Sequence, residues 1–280
     1  MADDKKNSAN LPALINKPAI QKRFAEVLGK NSPAFISALL NVYNGNAQLQ
    51  KCTPNSILGA AGLAAVTGLS INPSLGHAYI LPFGNQAQFL LGWKGLIQLA
   101  LRSNRYLAIN ATEVYDGEVR GRDVKTGEPI YGEKTSDEVI GYLAYFKLTN
   151  GFEKTLYMTV EQVRNHAKKY SKSYSSDAKN GANSSVWSTN FDAMAKKTVL
   201  KLLLNKYGPL TAELYQVMQA DQAVVAKTSY TYVDNSGDTV PRETIDIDWN
   251  SEFVDEDTGE IYKPENSEAG SETEKFTFLD

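Results

Sequence analysis

The chain reads as an α+β fold, with helices packed on a small antiparallel sheet with hairpins and a disordered acidic C-terminal tail behind them. Three observations lead to that class. Apolar residues recur at helical spacing before about residue 68 and again after Thr159. Between these regions, strand-like segments flank two-residue turns, Gly84-Asn85 and Asn150-Gly151, of the kind that close hairpins. From Thr228 onward the composition becomes acidic and polar.

Taken in order, the first ten or so residues are polar and belong to a disordered N-terminus. Pro18 suits a helix start, with Ile20, Phe24, Val27 and Leu28 on one face and Gly29 at the end. Ser32-Pro33 opens a second helix, with Phe35, Ile36, Leu39, Leu40 and Tyr43 as its stripe and Asn44-Gly45 as its stop. Thr53-Pro54 opens a third that runs to Gly68 and is crowded with Gly59, Ala60, Ala61, Gly62, Ala64 and Ala65. Small residues let backbones approach closely, so this helix is expected at a core or subunit interface.

The middle is strand-like: HAYILPF and QAQFLLGW around Gly84-Asn85, a short helix at Leu96–Leu101, then alternation over 106–115. That alternation predicts Leu107, Ile109 and Ala111 on one face and Tyr106, Asn110 and Thr112 on the other. Gly117–Glu138 reads as a long loop or projecting hairpin, and Asn150-Gly151 joins two further strands. Thr159 with Gln162 forms a capping-box pattern. Residues 171–186 read as a Ser/Asn/Gly loop. A long helix is expected from about Ser188 to Tyr207-Gly208-Pro209, then a last helix over roughly 211–226. The domain reading is a disordered segment 1–17, a core 18–226, and a mostly disordered tail 227–280 with a small docking element near Phe253.

Charge is distributed unevenly. The total is −3, yet residues 221–280 hold 16 acids and 4 bases while residues 1–220 hold 16 acids and 25 bases. A basic body with an acidic tail suggests a polyanionic partner. The single cysteine, Cys52, cannot form an internal disulfide, and the two histidines, His77 and His166, stand apart from other metal-ligand types, so no metal site is expected. The N-terminus has no apolar signal region, and Ile57–Val66 is about half of the ~20 residues a membrane span needs. The expectation is a cytoplasmic protein without membrane contact.

Two helices carry ordered bases. Arg164, Lys168 and Lys172 fall at i, i+4 and i+8, opposite Val160, Val163, Ala167 and Tyr170, with Lys169 beside them. Lys197 and Lys201 share a face of the later helix, Lys196 flanks it and Lys206 closes its end. Residues 161–206 hold nine bases and three acids. Stacked like charges destabilise an isolated helix, so they make sense opposite an external anion such as a phosphate backbone. Trp93 beside Lys94 and Trp187 beside the second helix are candidate stacking platforms for unpaired bases, whereas Phe191 lies on the apolar stripe and reads as core. Arg120 and Arg122 are further candidates by composition. There is no phosphate-cradling G-x-x-x-x-G-K-[ST] run, no clustered carboxylate set and no nucleophile triad, which points away from an enzyme and from any cofactor.

The stretch GLSINPSLGHAYILPF…QAQFLLGWKGLIQLALRS resembles the signature of the RecT family of phage and prophage recombinases. The matching residues are Gly68-Leu69, Asn72-Pro73, Tyr79, Leu81-Pro82, Gln88, Gly92, Lys94-Gly95-Leu96, Leu99 and Arg102. A second block, WSTNFDAMAKKTVLKLLLNKYGPL, matches at Trp187, Phe191, Met194, Lys196-Lys197-Thr198, Lys206 and Pro209. Trp93 stands where Tyr or Phe is commoner, and Ser103-Asn104 where Ser-Gly is common; Asn also accepts a left-handed backbone, so that turn is expected to survive. The resemblance spans roughly residues 20–225. It implies ATP-independent binding of single-stranded DNA and annealing of complementary strands in phage homologous recombination. The protein would work as a homo-oligomeric ring or helical filament, holding the nascent duplex in a basic groove lined by both helices, beside a partner exonuclease.

The acidic tail, which carries Trp249, Phe253, Phe276 and Phe278, reads either as a solubilising extension or as a docking or self-regulating one. In the second case it competes for the groove or engages a host single-stranded DNA-binding protein. Two rival functions use some of the same features: a non-annealing coating protein for single strands, and a metal-dependent nuclease, which the scattered carboxylates disfavour.

Overall fold

A computed structural model describes residues 10–225, 229–232 and 234, together with the strands 239–241, 253–254 and 261–262. The expectations for residues 1–9 and for most of the acidic tail lie outside the described residues.

The chain opens with α1 (Leu11–Ile15), α2 (Pro18–Leu28), α3 (Ser32–Asn44) and α4 (Pro54–Val66), all four with proline in the first turn. α1 corrects the boundary drawn at residue 17. Asn10 caps it through Ala13 N–H, and Leu11 and Ile15 are fully buried. α4 is buried nearly all round, and it is core rather than surface. Gly59 explains part of its composition: a Cβ there would strike the Val225 carbonyl.

The hairpin β1 (Ala78–Phe83) and β2 (Gln86–Leu91) packs on α4, with Ala78 opposite Leu91 and Phe83 opposite Gln86. Next comes α5 (Trp93–Arg102), longer than the sequence suggested. Its start lies against the 76–77 backbone, where a Cβ at Gly92 or Gly95 would collide with the Gly76 and His77 carbonyls. Asn104 follows at φ 53°, the left-handed turn expected of it.

The main sheet is antiparallel in the order β3-β6-β7, built from β3 (Tyr106–Tyr115), β6 (Val139–Leu148) and β7 (Glu153–Thr159). Between β3 and β6 a small hairpin, β4 (Val119–Arg122) and β5 (Pro129–Tyr131), occupies the region read as a loop or projection. One face assignment needs correction. Tyr106 is buried and Leu107 is 67% exposed, because a bulge between Tyr106 and Ala108 resets the alternation.

α6 (Val160–Tyr170) starts at the predicted capping box, with Thr159 Oγ1 accepting from Gln162 N–H and Gln162 Oε1 accepting from Thr159 N–H. The loop expected over 171–186 is instead largely helical: α7 (Lys172–Asn180) and a short α8 (Val186–Thr189). Its polar composition hides a dense local network. Ser171 caps α7, and buried Asp177 accepts from Ser184 N–H and Oγ, Ser185 N–H and Ser188 Oγ. Those four donors hold the Asp177 carboxyl far below the usual carboxylate range.

The long helix α9 (Phe191–Tyr207) begins after a break at Asn190 and lies across all three strands of the main sheet. α10 (Ala212–Ala220) ends six residues before the expected position, because the chain turns into β8 (Val224–Val225). This segment meets β2 through the Phe89–Ala223 bridge, and β8 pairs with β9 (Ser229–Thr231), which pairs with β10 (Thr239–Pro241). The core therefore runs past the boundary drawn at 226, since Tyr230 and Asp234 are buried as well. β11 (Phe253–Val254) and β12 (Ile261–Tyr262) form a separate antiparallel pair at the expected Phe253 element. Among the described residues no helix is long and apolar enough to cross a membrane.

Candidate nucleic-acid interface

The second basic stripe is only partly open to solvent. Lys197 is 4% exposed, and its ammonium donates to Asp221 Oδ1 at 2.7 Å. Lys201 donates to the other carboxylate oxygen at 2.9 Å, and Leu91 N–H donates to Oδ1 at 3.0 Å. One carboxylate thus ties α9 to the end of β2 and to the segment leaving α10. Burial pushes Lys197 down to about 8 against the pull of Asp221, so it is still charged at neutral pH. For Asp221, burial alone would raise the carboxyl, but the two ammonium groups outweigh it and hold the group below its usual range. The lysine spacing that looked like a phosphate-binding face is, for Lys197, an internal ion pair.

Trp187 needs the same correction. It is 5% exposed, with the Tyr174 and Phe191 ring centroids 6.0 and 5.7 Å away, so it is a core side chain rather than an open stacking platform. Phe191 packs against the core as expected.

A different set of side chains comes together at the surface. Trp93, at the start of α5, lies under two ammonium groups, Lys94 Nζ at 5.9 Å and Lys196 Nζ at 5.2 Å from its ring centroid. Lys94 is exposed, while Lys196 is partly buried and bonded to Glu113 on β3 at 2.7 Å. Burial would raise the Glu113 carboxyl, but Lys196 reverses this and keeps it low. Next along, the Tyr142 hydroxyl donates to Asp192 at 2.5 Å, its ring meets Phe191 at 6.0 Å, and the exposed Arg164 guanidinium sits 5.8 Å over Phe191. Burial, with Asp192 and Glu113 close by, pushes the Tyr142 phenol well up, so it stays protonated as a donor. On the other side of Lys94 is His77, whose charge is disfavoured by burial and by Lys94 and Arg102. Lys94, Trp93 and Lys196 therefore form one cluster drawn from α5 and α9, and Arg164 of α6 stands over Phe191 at the start of α9.

The remaining predicted residues separate into groups. Arg102 is occupied: it donates to the Thr67 carbonyl, to the Gly68 carbonyl at 3.1 Å and to Glu213 at 2.9 Å. Lys168, Lys169 and Lys172 are exposed on α6 and the start of α7, and Lys206 is exposed near Tyr207 at the end of α9. Arg120 and Arg122 are exposed on the β4–β5 hairpin, apart from the rest.

The two helices meet differently from the expected groove. A cavity of about 390 Å³ lies between α6 and α9, lined by His166 and Tyr170 on one side and Lys197 and Lys201 on the other. Arg164 lies two residues from His166, about 200° around the helix, so the stripe it begins points away from that cavity. Burial, together with Lys201 and Lys169, holds the His166 imidazole below its ordinary value.

Sequence reasoning missed Asp221, Glu113 and Asp192. A signal existed for Asp221, the single acid between Glu213 and Asp234, flanked by Val217, Met218, Ala220, Ala223, Val224 and Val225, which marks a buried charge awaiting a cation. Among the described residues no three His, Cys, Asp or Glu side chains gather as a metal-ligand group.

The RecT family model matches residues 33–234, ending at the last described residue of the core. The chain is similar to the uncharacterized protein YqaK of Bacillus subtilis, 40% identical over 237 residues that cover 84% of this chain and 80% of that protein. It is also similar to the protein RecT of Escherichia coli, 27% identical over 257 residues covering 82% of this chain and 90% of that protein.

Proposed function

This chain belongs to the RecT family, whose members anneal DNA single strands in recombination, and from that premise we propose how it does so. It binds single-stranded DNA without ATP, pairs it with a complementary strand and holds the product duplex. Its body, residues 10–234, assembles with further copies into a ring or helical filament. A partner exonuclease supplies the single strand.

The observation that carries this reading is the Trp93 ring lying under Lys94 and Lys196, with Arg164 over Phe191 farther along the same surface. A strand running past these residues would place its phosphates against Lys94, Arg164 and the exposed α6 cations. A base could stack on the exposed part of Trp93. Contacts to phosphates rather than base edges leave the choice of partner to Watson–Crick pairing. Arg102 and Lys197 support the surface from behind, by fixing the start of α5 and the position of α9, and do not touch DNA.

The test mixes the protein with two complementary oligonucleotides, one carrying a fluorophore and one a quencher, in EDTA and without nucleotide. Quenching faster than the protein-free rate is the expected result. Binding of one strand without faster pairing would mean a coating protein and would overturn the annealing reading.

A further inference from the structure

The chain passes beside three exposed cations as it enters its acidic end. Asp234 is 9% exposed and pinned to the start of α7. Its carboxylate accepts from Ser171 Oγ at 2.7 Å and Ser173 N–H at 2.8 Å, and its carbonyl accepts from Lys172 N–H at 2.7 Å. Two residues earlier, Tyr232 lines the α6–α9 cavity and donates its hydroxyl to the Gln219 carbonyl. Lys168, Lys169 and Lys172 stand exposed within about one turn of this anchor. None of the three is ion-paired to another described residue.

β10 brings the chain back along β9, with Pro241 opposite Ser229. Beyond it, residues 242–280 hold 13 acids and 3 bases, including Asp255-Glu256-Asp257, and one tryptophan, Trp249. At a maximum of ~3.3 Å per residue, that length reaches any point of α6 and α7. The surface offers the complement: the α6 and α7 cations, none ion-paired to another described residue.

We propose that residues 242–280 dock across the α6–α7 cation face, a built-in polyanion occupying the ground that phosphates would take. The docking stands on charge and position. Its consequence, restrained DNA binding, rests on the function proposed above.

The full-length chain is treated with a zero-length carbodiimide at low salt and the cross-linked peptides are mapped. Carboxylates of 243–260 should join Lys168, Lys169 and Lys172 in preference to Lys22, Lys30 and Lys51. A saturating single-stranded oligonucleotide should reduce those links several-fold. Links spread evenly over all lysines, or undiminished by an oligonucleotide that the chain binds, would overturn the proposal. So would links that join isotopically distinct copies, which would assign the face to a second subunit's segment.

In a second arm, Asp255, Glu256, Asp257 and Glu260 become amides in the full chain. Single-strand affinity at low salt should rise on the order of threefold to tenfold, and the gain should vanish at high salt. Unchanged affinity would overturn the restraint. If neither chain binds DNA, the proposed function falls, and the cross-link map without DNA still decides the docking.

Discussion

Replacing Lys197 by methionine separates an internal ion pair from a DNA contact. In the wild type, Asp221 is 2% exposed at its side chain and is held by Lys197 at 2.7 Å and Lys201 at 2.9 Å. Removing one partner of a fully buried pair costs about 3–5 kcal/mol. Here Lys201 and the Leu91 N–H, 3.0 Å away, remain on the carboxylate, so the loss for Lys197→Met should be smaller, about 1–3 kcal/mol. Asp221→Ala strands a buried ammonium and should cost the full ~3–5 kcal/mol. Urea unfolding reads both as lower midpoints at unchanged slope. The double variant should lose less than the two single losses added together, the mark of a direct coupling. Under conditions where Lys197→Met stays folded, the dependence of single-strand affinity on salt should match the wild type. A fall by about 0.7 in that logarithmic slope, the value of one released counterion, would place Lys197 on a phosphate and refute the ion-pair account.

Four further expectations follow from the same geometry. Lys94→Gln should lower the salt slope by about 0.7, and Trp93→Ala should cost about 1–3 kcal/mol of binding with the slope unchanged, both measured by titration of a labelled oligonucleotide. Gly59→Ala should destabilise by about 1–3 kcal/mol in thermal unfolding, because its Cβ meets the Val225 backbone rather than a movable side chain. Asn104→Val should lose about 1–2 kcal/mol at φ 53°, while Asn104→Gly should be neutral or better. Asp177 and Asp221 are both depressed in the folded state, so the unfolded chain takes up protons first as pH falls. The stability they contribute is complete above the ordinary carboxylate range and is lost as pH drops through and below it. Asp177→Asn should flatten that acid limb in denaturant titrations at stepped pH.

Local chemistry was legible where a few neighbouring residues decide the outcome. The turns at Gly84-Asn85 and Asn150-Gly151, the proline starts of α2, α3 and α4 and the Thr159 capping box all stand where their residues indicated, because each is settled within a single turn of chain. α7 was illegible because its polar sequence is held by Asp234, more than 50 residues away, and by Asp177 acting on three serines. Face assignment along β3 failed only at Tyr106 and Leu107, where a bulge puts them out of step with the rest of the strand.

The site divides in the same way. That the body is basic and carries aromatics beside lysines could be read from residue types and spacing, and its family from the resemblance of two sequence blocks. Which lysines are free could not, because a lysine's role depends on where the nearest carboxylate falls in space. Asp221 reaches Lys197 from 24 positions away, and Glu113 reaches Lys196 from 83. Sequence alone determined the kinds of groups and the helices that carry them. Tertiary structure decided which charges are cancelled inside and which remain to meet a phosphate, since Coulomb attraction and burial act through distance, not along the chain.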